Sequence, residues 1–392
     1  LWTIRIVKTT RSWDIFCKVI DNYGDIGVSW RLAVELAARG HGVRLWVDDA
    51  RALAWMAPGA GSGAFPGVRV LSWAMSANAA ALADLQPADV WIEGFGCELE
   101  PAFVARRFAA AANTAGDQPP PVWINLEYLS AEPYAARAHG LPSPILTGPA
   151  KGHTRWFFYP GFTESTGGLI REAGLEQRRA AFDRVEWFAQ LGVPWAGEHL
   201  VSLFCYEPPA LPELLAHYQR SQTPTLMLVT QGRAAAAVRR HWALEPASTD
   251  GITVHRRGAL SVVLLAALAQ TDFDHLLWAC DMNFVRGEDS LVRALWAARP
   301  FVWQIYPQHD AAHQAKLHAA LDALDAPLSW RRFHLAWNGM LGGPLPQPEP
   351  GPWGDAVRHA AAKLATQPDL TTRLVQFVDK LSAPLQTSPK DR

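Results

Sequence analysis

The sequence predicts an α/β fold of two Rossmann-like domains facing a central cleft, and three observations predict it. Apolar, strand-like runs alternate with Ala-rich helical stretches along most of the 392 residues, the pattern of a parallel sheet covered on both faces. That series occurs twice. A glycine-rich crossing separates the halves, and the length suits two or three domains at about 150 residues each.

The first series opens with "WDIFCKVI" as a strand, an acidic glycine loop, "WRLAVELAARG" as a helix closed by Arg39 and Gly40, and "HGVRLWVDD" as a strand. This is a βαβ unit. Further strands are expected at "VRVLSW", "ADVWIEGF" and "PVWINLEYL", the last preceded by the turn-rich "AGDQPPP". From Gly140 to Gly168 the text reads as loop, so a first domain is drawn over residues 1–168 and a linker over 169–195. The second series, over 196–368, starts at "HLVSLFCYE" and continues through "TPTLMLVTQG", "GITVHRRG", "DHLLWACDMNFV" and "RPFVWQIYPQ". Residues 369–392 close the chain with an amphipathic helix whose stripe of Leu374, Phe377 and Leu381 is available to pack back on the first domain.

Composition excludes several function classes. Lys plus Arg (36) nearly balance Asp plus Glu (37), so no global field points to nucleic acid or a membrane surface as a partner. Cys17, Cys97, Cys205 and Cys280 lie far apart with no CxxC pair, which argues against a zinc knuckle or a disulfide framework and for a reducing, cytoplasmic location. The aliphatic run Ala259–Ala269 is too short to span a bilayer, and the N-terminus lacks a signal-peptide pattern. The 18 tryptophans read mainly as core filler.

The acidic loop "DNYGD" follows the first strand, where doubly wound sheets bind ligands. Gly24 and Gly27 do not make a dinucleotide fingerprint, and the carboxylates of Asp21 and Asp25 would repel a pyrophosphate. Either aspartate alone reads as a helix cap or an Asx-turn. As a pair they suit a cation, and a guanidinium above all, since it is planar, permanently charged and bound bidentately by carboxylates. An anion site is then expected in the second half, at "FVRGEDSLVRALWAARPFVW". There a strand is read to end at Val285, followed by the loop "RGEDS" and a helix from about Leu291 to Ala298. Arg286 is placed to meet a diphosphate, N–H groups around Asp289 and Ser290 to seat an anion, and Glu288 to accept from sugar hydroxyls. Taken alone, "EDS" also reads as plain capping.

Two patterns compete for attention. "HDAAH", from His309 to His313, imitates a zinc-binding helix but offers no third ligand. "DFD", from Asp272 to Asp274, imitates a metal-carrying D-x-D, but its position favours a helix cap.

The segments "WDIFCKVIDNYGDIGVSWRLA", "WINLEYLSAE", "HGLPSP", "FFYPGFTESTGGL" and "FVRGEDSLVRALWAARPFVWQIYPQ" resemble the bacterial protein-arginine rhamnosyltransferases that modify translation elongation factor P. The resemblance runs from about Trp13 to beyond His313. It implies a GT-B architecture and transfer of rhamnose, with inversion, from dTDP-β-L-rhamnose to an arginine of elongation factor P, with neither a metal nor another cofactor. It also implies catalytic roles for Asp21, Asp25 and Glu288. The donor nucleotide-sugar would be bound by Phe204, Tyr206, Gln270, Phe273, Arg286, Asp289 and Ser290. One position departs from the family pattern: Ala267 stands where an aromatic is expected three residues before the glutamine, which weakens the expected packing on thymine unless a neighbouring Trp or Phe replaces the ring. Two other classes remain open, a non-catalytic nucleotide-sugar sensor with an acidic partner-binding loop and, less favoured without the dinucleotide fingerprint, an oxidoreductase.

Overall fold

The computed structural model of the chain describes residues 10–19, 23–113, 119–245, 252–307 and 311–383. Among these residues two sheets form. The first contains β1 (Ser12–Cys17), β2 (Gly42–Val47), β3 (Val68–Ser72), β4 (Val90–Gly94), β5 (Val122–Leu126), β6 (Pro142–Pro144) and β7 (Thr154–Phe158), in the order β3-β2-β1-β4-β5-β7-β6. The second contains β8 (His199–Leu203), β9 (Thr225–Val229), β10 (Val254–Arg257), β11 (Leu260–Leu264), β12 (Met282–Arg286) and β13 (Phe301–Gln304), in the order β10-β11-β9-β8-β12-β13. Neighbouring strands run parallel except at one edge of each sheet, where β6 and β10 pair antiparallel.

The central strands are buried throughout because helices cover both faces. Trp13 to Cys17 of β1 have no exposed surface, and β1 is in register with β2 on one side (Phe16 opposite Trp46) and β4 on the other (Ile15 opposite Ile92). The tryptophans fill this core as expected: Phe16 stacks on Trp46 at 5.4 Å, and Phe103 packs on Trp46 and Trp91. The four cysteines are buried and free, and burial pushes their thiols up, Cys97 and Cys205 to about 12. Among the described residues no helix is long and apolar enough to cross a membrane.

The structure corrects three readings of the sequence. The stretch from Gly140 to Gly168 is not all loop, because Thr154–Phe158 extends the first sheet beside β5 and Pro142–Pro144 forms its edge. "DHLLWACDMNFV" is the end of the helix Gln270–Ala279 followed by β12, and part of the aliphatic run is β11. Apolar runs of a buried helix and a buried strand look alike in sequence, and Gly and Pro on both sides hid the aromatic strand "TRWFF". At the third site there is no "RGEDS" loop: β12 runs to Arg286 and the helix Gly287–Ala297 begins at the next residue. Gly287 makes that junction possible, since its φ of +72° is a left-handed conformation that residues with a Cβ resist.

Strand order reverses once in each sheet, between β1 and β4 in the first and between β8 and β12 in the second. Ligands of open α/β sheets bind outside the carboxyl ends of the strands at such points. Tyr23 and Gly24, after β1, and Gly287, directly after β12, sit at these two positions and line the same cleft. The closing helix, Leu370–Ser382, crosses back to the first sheet. Phe377 packs on Phe158 at 5.7 Å and Trp156 at 6.2 Å, Leu370 N–H donates to Leu169 C=O at 2.9 Å, and Arg39 donates to Asp369 at 2.7 Å.

Candidate active site in the cleft

Two adjoining cavities occupy the cleft. The larger, about 250 Å³, is walled on one side by Tyr23, Gly24, Arg31, Trp55 and Met56 and on the other by residues of the second sheet. All seven expected donor-side residues line it: Phe204, Tyr206, Gln270, Phe273, Arg286, Asp289 and Ser290. The smaller, about 220 Å³, is lined by Asp25, Phe95, Tyr128, Trp303, Tyr306, His313 and Lys316. Gly24, Gly287 and Glu288 belong to both walls, so the cavities meet at the starts of the two helices.

The larger cavity is built for an anion with an aromatic group. Arg286, the last residue of β12, is buried with its guanidinium 4.7 Å from the Phe204 ring centroid and 4.4 Å from that of Tyr206. These rings follow β8, where Phe204 N–H continues the ladder to Phe284 C=O at 2.9 Å and Tyr206 N–H donates to Gln304 at 2.8 Å. The Arg286 guanidinium is thus held by cation–π contact with two rings beside the N-terminus of the helix Gly287–Ala297, where two positive fields add. Ser290 Oγ donates to the Arg286 carbonyl. Phe273 meets Phe204 edge to face at 5.3 Å. Ala267 leaves its part of the wall open, and Trp55, approaching from the first sheet's side, lines the same cavity, a tryptophan of the kind expected to stand in for the missing ring.

Asp25 is buried in the first turn of the helix Gly24–Ala38, where the helix dipole favours a carboxylate. Its helix starts at Gly24, earlier than "WRLAVELAARG" suggested. Asp21 lies outside the described residues, as do His309 and Asp310 of "HDAAH". Glu288 reaches across the cleft: one carboxylate oxygen accepts Leu129 N–H at 2.7 Å and the other pairs with Lys316. Gly27 lets the two halves approach here. Its carbonyl accepts from Gln270 Nε2 at 3.0 Å, and a Cβ at this position would lie 3.3 Å from the same nitrogen.

Behind the cleft runs a buried ionic network that the sequence did not announce. Arg31 donates to Asp274 at 3.1 and 3.2 Å and to Glu172 at 3.0 Å, and lies 3.1 Å from an oxygen of Asp289. Arg293 donates to Asp274 at 2.8 and 2.6 Å and to Glu172 at 2.6 Å. Asp274 therefore does not cap its helix, as "DFD" had suggested; the helix Gln270–Ala279 has no side-chain cap. Burial works against the charge on Glu172, but Arg293 and Arg31 outweigh it and hold the carboxyl down at about 2. For Asp289 burial wins over the two arginines and the pKa is raised. The network ties the first helix, the connecting segment and the two helices that carry Gln270 and Asp289 into one positioning unit. A signal was available for the two arginines, since Arg31 and Arg293 sit within largely apolar stretches, but their pairing needs the fold.

Chemically, the cleft offers a cationic, aromatic seat joined to a chamber with two carboxylates. Residues 13–379 match the family described as "Elongation-Factor P (EF-P) rhamnosyltransferase EarP". The chain is 45% identical to a protein-arginine rhamnosyltransferase of Pseudomonas aeruginosa, over 93% of this chain and 98% of that one. It is 35% identical to a protein of the same name from Neisseria meningitidis, over 79% and 77% of the two chains. A solved structure described as "Structural basis for EarP-mediated arginine glycosylation of translation elongation factor EF-P" aligns with a TM-score of 0.60 and 32% identity, covering 95% of this chain and all of that one. The two-lobed α/β architecture is that of GT-B glycosyltransferases, and the chain belongs to the EarP family.

Proposed function

We propose that the chain is an inverting protein-arginine rhamnosyltransferase that moves L-rhamnose from dTDP-β-L-rhamnose to an arginine of elongation factor P. The observation that carries this reading is the meeting of the two cavities at Gly24, Gly287 and Glu288. A donor in the larger cavity would present its sugar at that junction, and an acceptor arginine would come from the smaller one.

In this reading the thymidine packs among Phe204, Phe273 and Trp55, Gln270 and Tyr206 fix the nucleotide, and the diphosphate faces Arg286 and the helix N-terminus at Asp289 and Ser290. Arginine is protonated at neutral pH, so its nitrogen is a poor nucleophile until a carboxylate polarises it. Asp25 takes that role and orients one nitrogen in line with the anomeric carbon, with Asp21 assisting and Glu288 holding the junction. The nitrogen forms the bond to the anomeric carbon as the bond to the dTDP oxygen breaks. A nitrogen proton passes to Asp25, and the charge gathering on the diphosphate is met by Arg286 and the helix N-terminus. These groups supply the charge stabilisation without calling on a metal or another cofactor. The proposed division is a first domain over 1–168, a linker over 169–195, a donor domain over 196–368 and a closing helix, working in the cytoplasm where elongation factor P acts.

The test is mass spectrometry of elongation factor P after incubation with the protein and dTDP-rhamnose. A deoxyhexose on one arginine is expected, with Asp25→Asn reducing transfer by at least about a hundredfold, as loss of a general base does, while donor binding by calorimetry persists. A folded protein that binds the donor and modifies no arginine would instead be a nucleotide-sugar sensor, and the catalytic reading would fall.

A further inference from the structure

The smaller cavity already contains a cation. Lys316, on the helix Ala312–Ala323, pairs with Glu288, and its ammonium lies 5.7 Å from the Tyr128 ring centroid. The second Glu288 oxygen is fixed by Leu129 N–H at 2.7 Å, and Tyr128 is stacked on Phe95 at 4.9 Å. The carboxylate and the ring are therefore each held by a neighbour, independently of the lysine. A positive charge between an aromatic ring and a carboxylate is also what an arginine side chain seeks.

We infer that Lys316 is a placeholder: its ammonium occupies, before the acceptor arrives, the position that the acceptor guanidinium takes, and it withdraws when an arginine enters. The inference rests on the proposed reading of this cavity as the acceptor chamber. Three features support it. Glu288 would otherwise face an aromatic-walled cavity uncompensated, which is unfavourable for a carboxylate that is only one-fifth exposed. Lysine is a point charge on a flexible stem, whereas guanidinium binds carboxylates through two parallel bonds and stacks on rings, so arginine displaces it with a net gain. Lys316 is itself about one-fifth exposed, so on leaving it has a route to water.

The same arrangement discriminates between acceptors. An incoming lysine offers Glu288 nothing that Lys316 does not already supply, and it gains no advantage by exchange. An incoming arginine does. Lys316 would thus act as a specificity-determining residue that leaves the chemistry to the carboxylates.

The experiment compares wild type, Lys316→Met and Lys316→Arg by acceptor KM and kcat on elongation factor P, by calorimetric Kd for dTDP-rhamnose, and by NMR titration with acetyl-arginine amide and acetyl-lysine amide. Lys316→Met should lower the acceptor KM and tighten acetyl-arginine amide about three- to tenfold, the range for releasing a partly buried ion pair, with donor Kd unchanged. It should also admit acetyl-lysine amide. Lys316→Arg, whose guanidinium grips Glu288 with two bonds, should raise the acceptor KM. A merely structural lysine predicts the reverse: weaker amide binding in Lys316→Met and near-normal behaviour in Lys316→Arg. Unchanged or weakened arginine-amide binding in Lys316→Met overturns the inference. Were wild type to transfer nothing, the function would fall while the amide titrations still decided the role of Lys316.

Discussion

Replacing Arg31 by Met removes one of two cations that face three carboxylates, the buried Asp274 and the largely buried Glu172 and Asp289. At an effective dielectric of about 20, each unit pair about 4 Å apart is worth roughly 4 kcal/mol gross. Repulsion from Arg293 and the desolvation of Arg31 itself remove most of that sum. Stripping one partner from a buried ionic group costs about 3–5 kcal/mol. With an unfolding entropy near 2.1 cal/mol/K per residue, about 4 kcal/mol corresponds to a fall of about 5 °C in the midpoint of a chain this long. Scanning calorimetry at pH 7 measures it. The deficit should also depend on pH. Burial already raises the Asp289 pKa, and losing Arg31 raises it further, so the penalty is full above that folded pKa and shrinks as acid protonates the carboxyl. Arg31 lines the donor cavity whereas Arg293 does not. Arg293→Met should therefore destabilise comparably and weaken dTDP-rhamnose binding less than Arg31→Met. A midpoint shift below about 1 °C for Arg31→Met, the scale of an exposed pair, would refute the view that this network holds the cleft together.

Two further outcomes follow from the same structure. Glu172, held at about 2 against an ordinary 4.5, contributes about 3 kcal/mol above pH 4.5 that is lost as the pH falls toward 2; Glu172→Gln should lower the urea midpoint at pH 6 and flatten its decline between pH 4.5 and 2. Ala267→Phe should tighten dTDP binding about two- to tenfold in calorimetry by restoring a ring on an exposed part of the donor wall; unchanged affinity would mean that Trp55 already supplies that packing.

The parts of this molecule that were legible in its sequence are those with strong local signals. The βαβ unit around Asp25 was marked by a buried strand and a C-terminal Arg39-Gly40, which lie where the local pattern put them, whereas Gly24 and Gly27, read as loop, belong to the helix. Strands flanked by Gly and Pro, such as Thr154–Phe158, were lost among turn residues. The "RGEDS" segment was given a loop because acidic residues often precede a helix, yet a single left-handed Gly287 lets strand pass into helix directly. On the donor side, composition and spacing pointed to Arg286, Asp289 and Ser290, while Phe204 and Gln270 came from the family resemblance alone. Contacts that join residues hundreds of positions apart, such as Arg31 with Asp274 or Lys316 with Tyr128, carry no local signature and had to await the fold.

The return of the last helix to the first sheet bears on how the chain is made. Phe377 and Asp369 cover a surface formed by Trp156, Phe158 and Arg39, so that part of the first half is still bare when it leaves the ribosome. Its packing waits until the second half has been synthesised. Domains usually fold in order of synthesis; here part of the earlier lobe's surface is covered only by a helix that is synthesised after the later one.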